Sequence, residues 1–324
     1  MHENAAREKS QWLVHVPIAV FSAVMGLTGL GLAWRKAHHV FDWPTAIGES
    51  ILGLAVLVFA AVTILYAAKI LRHGATVRGE FEHPVRSNFF PTFSVSLILL
   101  AMAAFPLHGE TALVLWGAGA AVHMALTLNL IGRWLVRDVS ILAINPAWFI
   151  PAVGNILVPI VGVRLGFPEI SWLFFSIGLV FWLLLFVIVF YRIVFHDQMP
   201  PRLVPTMFIL IAPPTAGFQA YFALTGGVID SFSRILFYFG LYLTILLFSL
   251  ARTFIAVPFA MSWWAFTFPL CAMTIAALEY GQYTGGWGLV AIAAGLLGLT
   301  TVIVTTVFLR TVKALFGGTL FTPE

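Results

Sequence analysis

The chain has 324 residues, of which 61% are hydrophobic and only 9% are charged, with a formal net charge of +4. Soluble domains carry about 25% charged residues, so this composition excludes a soluble enzyme, a nucleic-acid partner and a disordered chain. It indicates a polytopic membrane protein surrounded by membrane lipid. The single cysteine, Cys271, excludes an internal disulfide.

Ten apolar stretches are long enough to cross a bilayer as helices, which takes about 20 residues each. We interpret residues 1–324 as a single transmembrane domain with short cytoplasmic tails at 1–12 and 310–324. The predicted spans are 13–34, 47–71, 87–106, 111–132, 147–166, 170–195, 203–225, 232–251, 262–280 and 287–309.

The distribution of Lys and Arg predicts the orientation. With ten spans, thirteen of the 17 basic residues fall on the side that holds both termini, and the other four, Arg35, Lys36, Arg164 and Arg234, fall on the opposite side. Because basic residues accumulate in cytoplasmic loops, both termini are expected to be cytoplasmic.

Prolines recur in the odd-numbered spans at intervals of 56 to 74 residues, and the even-numbered spans contain none. A proline inside a helix removes a backbone donor and bends the axis, and the freed groups must be buried in protein or face a wet cavity. This predicts an all-α fold of five helical hairpins, with five kinked inner helices around a central pore and five outer helices. The predicted kinks are at Pro17, Pro91, Pro151, Pro159, Pro214 and Pro269.

Residues that could catalyse a reaction or bind a metal are few within the predicted spans. Glu49, Glu110, Glu169 and Glu279 all lie near span ends, and His123 is the only histidine well inside a span. A metal or haem site would need a second buried ligand, so no metal, no cofactor and no enzymatic activity is predicted. We expect His123 to hydrogen-bond to a neighbouring helix.

The inner spans carry many phenylalanines and small neutral polar residues, which suit a weakly binding passage for small anions with an apolar constriction. For any single phenylalanine, ordinary packing or lipid contact is the alternative. Arg86 is placed at the cytoplasmic pore entry, where its charge would attract anions, although it also fits the ordinary excess of cytoplasmic charge. The predicted pore-lining residues are Phe21, Phe90, Phe93, Phe149, Asn155, Phe208, Pro213, Phe218 and Phe266.

Several motifs resemble one family. Elements of the third, fifth, seventh and ninth spans are similar to plant slow-type anion channels, and Leu32-Ala33-Trp34-Arg35 is similar to bacterial TehA proteins. These elements are His83-Pro84-Val85-Arg86-Ser87-Asn88-Phe89-Phe90, Asn145-Pro146 with Val153-Gly154-Asn155, Ala212-Pro213-Pro214, and Trp263-Trp264-Ala265-Phe266-Thr267-Phe268-Pro269.

This family comprises TehA tellurite-resistance proteins, plant slow anion channels and fungal malic-acid and sulfite transporters. The resemblance implies ten helices with quasi-five-fold symmetry, a homotrimer, and occlusion of the pore by Phe268 rather than by Phe266. TehA proteins often carry a later proline in span three, where Ser94 stands here, so the local pore width is expected to differ.

Together, residues and resemblance predict a passive anion channel of the bacterial inner membrane for small anions such as chloride or nitrate, with Phe268 as its gate. The alternative is a secondary transporter of dicarboxylates such as malate, or of sulfite, linked to tellurite resistance. The absence of carboxylates near the membrane midplane argues against proton coupling, although a protonated substrate would carry its own proton.

Overall fold

The computed structural model describes residues 12–321, and the predicted tail 1–12 lies outside them except for Trp12. The described residues fold into helices joined by turns and contain no β-strand. Nine of these helices are long and apolar enough to cross a membrane. The predicted class, an all-α polytopic membrane protein, is therefore confirmed. The nine helices are α1 (Ile18–Phe41), α2 (Thr45–Arg72), α3 (Arg86–Ala104), α4 (Gly109–Val136), α6 (Pro168–Phe195), α7 (Pro201–Leu224), α8 (Ser231–Ser249), α9 (Met261–Thr284) and α10 (Trp287–Phe316).

The stretch predicted at 147–166 differs from the others. It forms α5 (Pro146–Gly162), a shorter apolar helix built from alternating 3₁₀ and α pieces. Pro151 and Pro159 lie in its two α pieces, and Gly154 begins the 3₁₀ turn between them. Prolines without N–H groups and a glycine of low helix propensity prevent one continuous ladder of hydrogen bonds, so the segment is broken.

The inner helices change from 3₁₀ to α along their length. A 3₁₀ turn precedes the α part in each, and the proline falls within the first three α residues at Pro91, Pro151, Pro159, Pro214 and Pro269. In this first turn the N–H has no intrahelical partner, so its absence costs no bond. Pro17 instead caps the 3₁₀ turn Ile18–Val20 that opens α1.

The proline-bearing helices are the buried ones. In α1, α3, α7 and α9, 67–72% of the most apolar window is buried, against 22–39% in α2, α4, α6, α8 and α10. Each inner helix contacts the next, α1 to α3, α5, α7 and α9, and α9 contacts α1, which closes a ring. The odd-numbered helices therefore occupy the centre, and the even-numbered helices present apolar side chains such as Leu57 and Val187 outward.

Two further features frame the site. The linker helix Gly74–Glu82 joins α2 to α3 and packs against both the end of α2 and the 3₁₀ turn that opens α3. At the other end of the chain, α10 continues to Phe316, so the helix includes the first residues of the segment predicted as a tail at 310–324.

Candidate functional site

A cavity of about 1270 Å³ lies at the centre of the ring. Residues of all five inner helices line it, among them Met25, Val95, Phe149, Ala216 and Phe268. The linker helix and the segments before α7 and α9 border the same cavity, which places it at the end of the ring where these segments lie. We call it the large cavity.

A second space, the small cavity, measures only about 20 Å³ and is again lined by all five inner helices. Its lining residues include Gly29, Leu99, Ile160, Gln219 and Ala272. Two side chains line both cavities, Leu157 of α5 and Phe268 of α9. They stand where the wide part of the central space gives way to the narrow part.

Phe268 is held in a position that glycine makes available. Gly29 of α1 faces it, and a Cβ atom at Gly29 would lie 3.4 Å from Phe268 Cδ2 and 2.9 Å from the Cβ of Cys271. The phenyl ring is half-buried, whereas its neighbours Thr267 and Pro269 are buried. The ring is therefore directed into the central space, with the backbone of α1 directly beside it.

The other residues predicted to line the pore divide into two groups. Phe149, Pro213 and Arg86, the residue predicted at the pore entry, line the large cavity. The remainder line neither cavity, because their rings fill gaps between helices. The ring of Phe21 packs edge-to-face against that of Phe93, with ring centroids 5.2 Å apart, and both rings contact Phe59 of α2.

Four more predicted residues line neither cavity and pack between helices: Phe90, Phe208, Phe218 and Phe266. Phe90 packs on Phe81 of the linker helix. Phe208 and Phe266 contact each other at 4.8 Å between centroids. Phe218 packs against Phe237 of α8. These rings join adjacent helices and do not face the central space.

Asn155 has a comparable role in joining helices. Its Nδ2 donates to the carbonyl of Ala152 at 2.8 Å and to Thr127 Oγ1 at 3.1 Å, and Thr127 in turn donates to the Pro151 carbonyl at 2.7 Å. Since Thr127 lies on α4, this network fastens α5 to its outer neighbour near the change from α to 3₁₀ structure in α5.

His123 is fully buried on α4, and its Nδ1 lies 2.9 Å from Ser94 Oγ of α3, which confirms the predicted contact with a neighbouring helix. The ring fits beside Gly154 of α5, where a Cβ atom would lie 2.5 Å from His123 Cε1. Ser94 donates its hydroxyl proton to the Pro91 carbonyl at 2.9 Å. The imidazole thus joins three helices. Within residues 12–321 no three His, Cys, Asp or Glu side chains are grouped as metal ligands would be.

Titratable and charged residues line the large cavity only towards its open end. These are His15, Glu80, His83, Arg86 and Arg202. Glu80 is the only carboxylate among the described residues that line this cavity, and it is paired with Lys69 at 2.6 Å. The wall nearer to Phe268 consists of apolar and small residues, so charge is concentrated at the entrance.

Sequence reasoning missed three parts of this site. Leu157 carries no signal, because leucine is common in every span. Gly29 is not recognisable as part of the site, since its partner, Phe268, is far away in the chain. The pairing of Lys69 with Glu80 is visible only once the linker helix is seen to fold back against α2.

A ring of apolar helices around a central space, narrowed by an aromatic side chain, defines a membrane protein built around an axial cavity. Residues 15–312 match the SLAC1 family, described as voltage-dependent anion channel, and the chain belongs to this family. The predicted resemblance is confirmed, and the family is one of channels and transporters rather than enzymes.

Three relatives illustrate the range of the family. The chain is 27% identical to S-type anion channel SLAH2 of Arabidopsis thaliana, over 95% of this chain and 61% of the relative. It is 27% identical to an uncharacterized transporter of Methanocaldococcus jannaschii, over 93% and 95% of the two chains. It is 24% identical to the tellurite resistance protein TehA homolog of Haemophilus influenzae, over 89% and 90%. The chain thus spans about three-fifths of the plant relative.

Proposed function

We propose that this protein is a passive channel for small anions such as chloride or nitrate, gated by Phe268. The observation that carries the proposal is that Phe268 lines both the large and the small cavity, each of which is surrounded by all five inner helices. With Leu157, the ring forms an apolar constriction on the axis. Such a constriction blocks ions by excluding water, and it opens when the side chains move.

The chemistry of the lining favours anions. Arg86 and Arg202 border the entrance and attract negative ions towards it. Deeper in the large cavity, apolar and small residues bind no ion tightly, which suits rapid passage. The edge of a phenyl ring is electropositive, so Phe268 opposes an anion less than an aliphatic plug of the same size would.

The names of relatives support the same function, since the plant relatives are called S-type anion channels. The proposal includes a homotrimer in the inner membrane of a bacterium with both termini cytoplasmic. The large cavity then opens to the cytoplasm, and the small cavity leads to the opposite side.

Replacing Phe268 by alanine tests the gate. In planar bilayers containing the purified protein, Phe268→Ala is expected to raise chloride current strongly, because the ring that closes the constriction is removed. Phe222→Ala is the matched control, since Phe222 also lies half-buried on an inner helix but lines neither cavity. Equal currents from Phe268→Ala and the wild type, at equal amounts of folded protein, would remove Phe268 from the gating role.

A secondary transporter of malate or sulfite is the second candidate. It is favoured by full-length relatives that are named as a transporter and a TehA homolog. The two functions differ in coupling. A channel gives chloride current that reverses at the chloride equilibrium potential regardless of the pH gradient. A proton-linked carrier instead acidifies the vesicle lumen in step with malate uptake.

A further inference from the structure

Glu80 lies in an unexpected position for an anion channel. It is the only acidic residue among the described residues that line the large cavity, and it belongs to the linker helix at the open end of that cavity. An exposed carboxylate in this position would repel anions and attract cations. The local structure around Glu80 therefore bears directly on selectivity.

Both oxygens of the Glu80 carboxylate are occupied. Oε1 accepts a hydrogen bond from Lys69 Nζ at 2.6 Å, and Oε2 accepts one from the Tyr66 hydroxyl at 2.9 Å. Both partners lie near the end of α2, one turn apart. The Lys69 side chain is fully buried, and the Glu80 side chain is only 8% exposed. The pair is thus shielded from water and from mobile ions, which weaken exposed pairs.

Lys69 also reaches the segment that precedes α1. Its Nζ donates a second hydrogen bond to the Val16 carbonyl at 2.6 Å. Val16 is buried and is followed by Pro17, which lines the large cavity. The ammonium group therefore joins α2, the linker helix and the beginning of α1. The charge of this ammonium group is neutralised inside the protein by a carboxylate and a carbonyl, and it does not face the cavity.

We infer that Lys69, with Tyr66, masks the Glu80 carboxylate and is a specificity-determining residue that keeps the cavity wall selective for anions over cations. This inference rests on the proposed anion-channel function. A neutralised pair presents only a weak dipole to a passing ion, whereas an unpaired carboxylate presents a full negative charge beside Arg86 and Arg202 on the same wall.

The test is a reversal-potential measurement in planar bilayers under a sodium chloride gradient. For Lys69→Gln, the chloride-to-sodium permeability ratio is expected to fall by roughly fivefold or more, because Glu80 at the entrance loses its positively charged partner. Lys69→Arg keeps the positive charge and is expected to keep the ratio. The double variant Lys69→Gln/Glu80→Gln removes both charges and is expected to restore it. A purely structural role for Lys69 would not predict this rescue.

Lys36→Gln is the matched control. Lys36 pairs with Glu279 at 3.2 Å and lines neither cavity, so its loss removes an equal charge from another ion pair and is expected to leave the ratio unchanged. If Lys69→Gln does not fold, Tyr66→Phe removes only the partner of Oε2 and is expected to lower the ratio to a smaller degree. An unchanged ratio in whichever of these two variants conducts would overturn the inference. A wild-type protein without chloride selectivity would instead refute the proposed function.

Discussion

Gly29 and Phe268 lie 239 positions apart in the chain and are in contact at the centre of the molecule. The missing side chain of Gly29 leaves the space into which Phe268 Cδ2 projects, at 3.4 Å from the position that a Cβ would take. The location of the proposed gate thus depends on α1 as much as on α9, which carries it.

Gly29→Ala is expected to disturb this contact. The added methyl group would lie 2.9 Å from the Cβ of Cys271, a rigid part of α9, so the two helices must separate. Overpacking of this kind costs about 1–3 kcal/mol of unfolding free energy. Thermal unfolding of the purified protein measures it. Gly53→Ala on α2, where no atom lies within 4 Å of the added Cβ, is the control and should be at least as stable as the wild type. Equal stability of Gly29→Ala and Gly53→Ala would contradict the close contact.

A second tight contact joins His123 to Gly154. Gly154→Ala would place a methyl group 2.5 Å from His123 Cε1 and 2.7 Å from Nε2, and it is expected to destabilise the protein by about 1–3 kcal/mol. His123→Ala removes the ring, so the double variant should be less destabilised than the sum of the two single variants. Denaturant unfolding of all four proteins provides the cycle. Simple additivity would show that the ring and the glycine do not interact.

Asp230 predicts a pH dependence outside the membrane-spanning helices. It caps α8, with Oδ1 accepting from Ser233 N at 2.9 Å and Oδ2 accepting from the Tyr221 hydroxyl at 2.7 Å. The Ser233 N–H, followed by the Tyr221 hydroxyl, holds the pKa of the Asp230 carboxyl below its usual value. A lowered pKa in the folded state stabilises the fold above the unfolded value of about 3.9, and this contribution is lost as the pH falls through the lowered pKa.

Asp230→Asn removes this titration and is expected to flatten the acid limb of the plot of unfolding temperature against pH. Ser249→Ala is a suitable control, because Ser249 lies at the opposite end of α8 and bonds only within its own helix. An acid limb in Asp230→Asn as steep as that of the wild type would assign the pH dependence to other groups.

The prolines allowed the buried position of the odd-numbered helices to be predicted, because irregular backbone in a membrane protein must be buried in protein or line a cavity. The faces of the inner helices were harder to assign. Phe266 and Phe268 are two positions apart and therefore point in nearly opposite directions around a helix. Phe268 faces the central space, and Phe266 packs against Phe208. Composition alone does not separate these two roles.

Tertiary contacts explain the remaining differences. Phe21 and Phe93 are directed towards Phe59 of α2. The sequence does not show this partner, because it does not show where α2 packs in the fold. The masking of Glu80 by Lys69 depends on how the linker helix folds back, since both residues otherwise read as ordinary cytoplasmic charges. The span predicted at 147–166 is another example, because its apolar length gave no indication that α5 is a shorter helix of alternating 3₁₀ and α pieces.

The 3₁₀ turns of the inner helices have a consequence for the shape of the molecule. A 3₁₀ helix rises about 2.0 Å per residue with three residues per turn, so it is slimmer than the α-helix that follows it. All five inner helices carry such a slim portion beside the large cavity, including Ile18, Phe89, Leu157, Ile209 and Trp264. The slimmer backbone of these five portions therefore leaves more room beside the large cavity than α-helices would, so the backbone itself contributes to the width of this cavity.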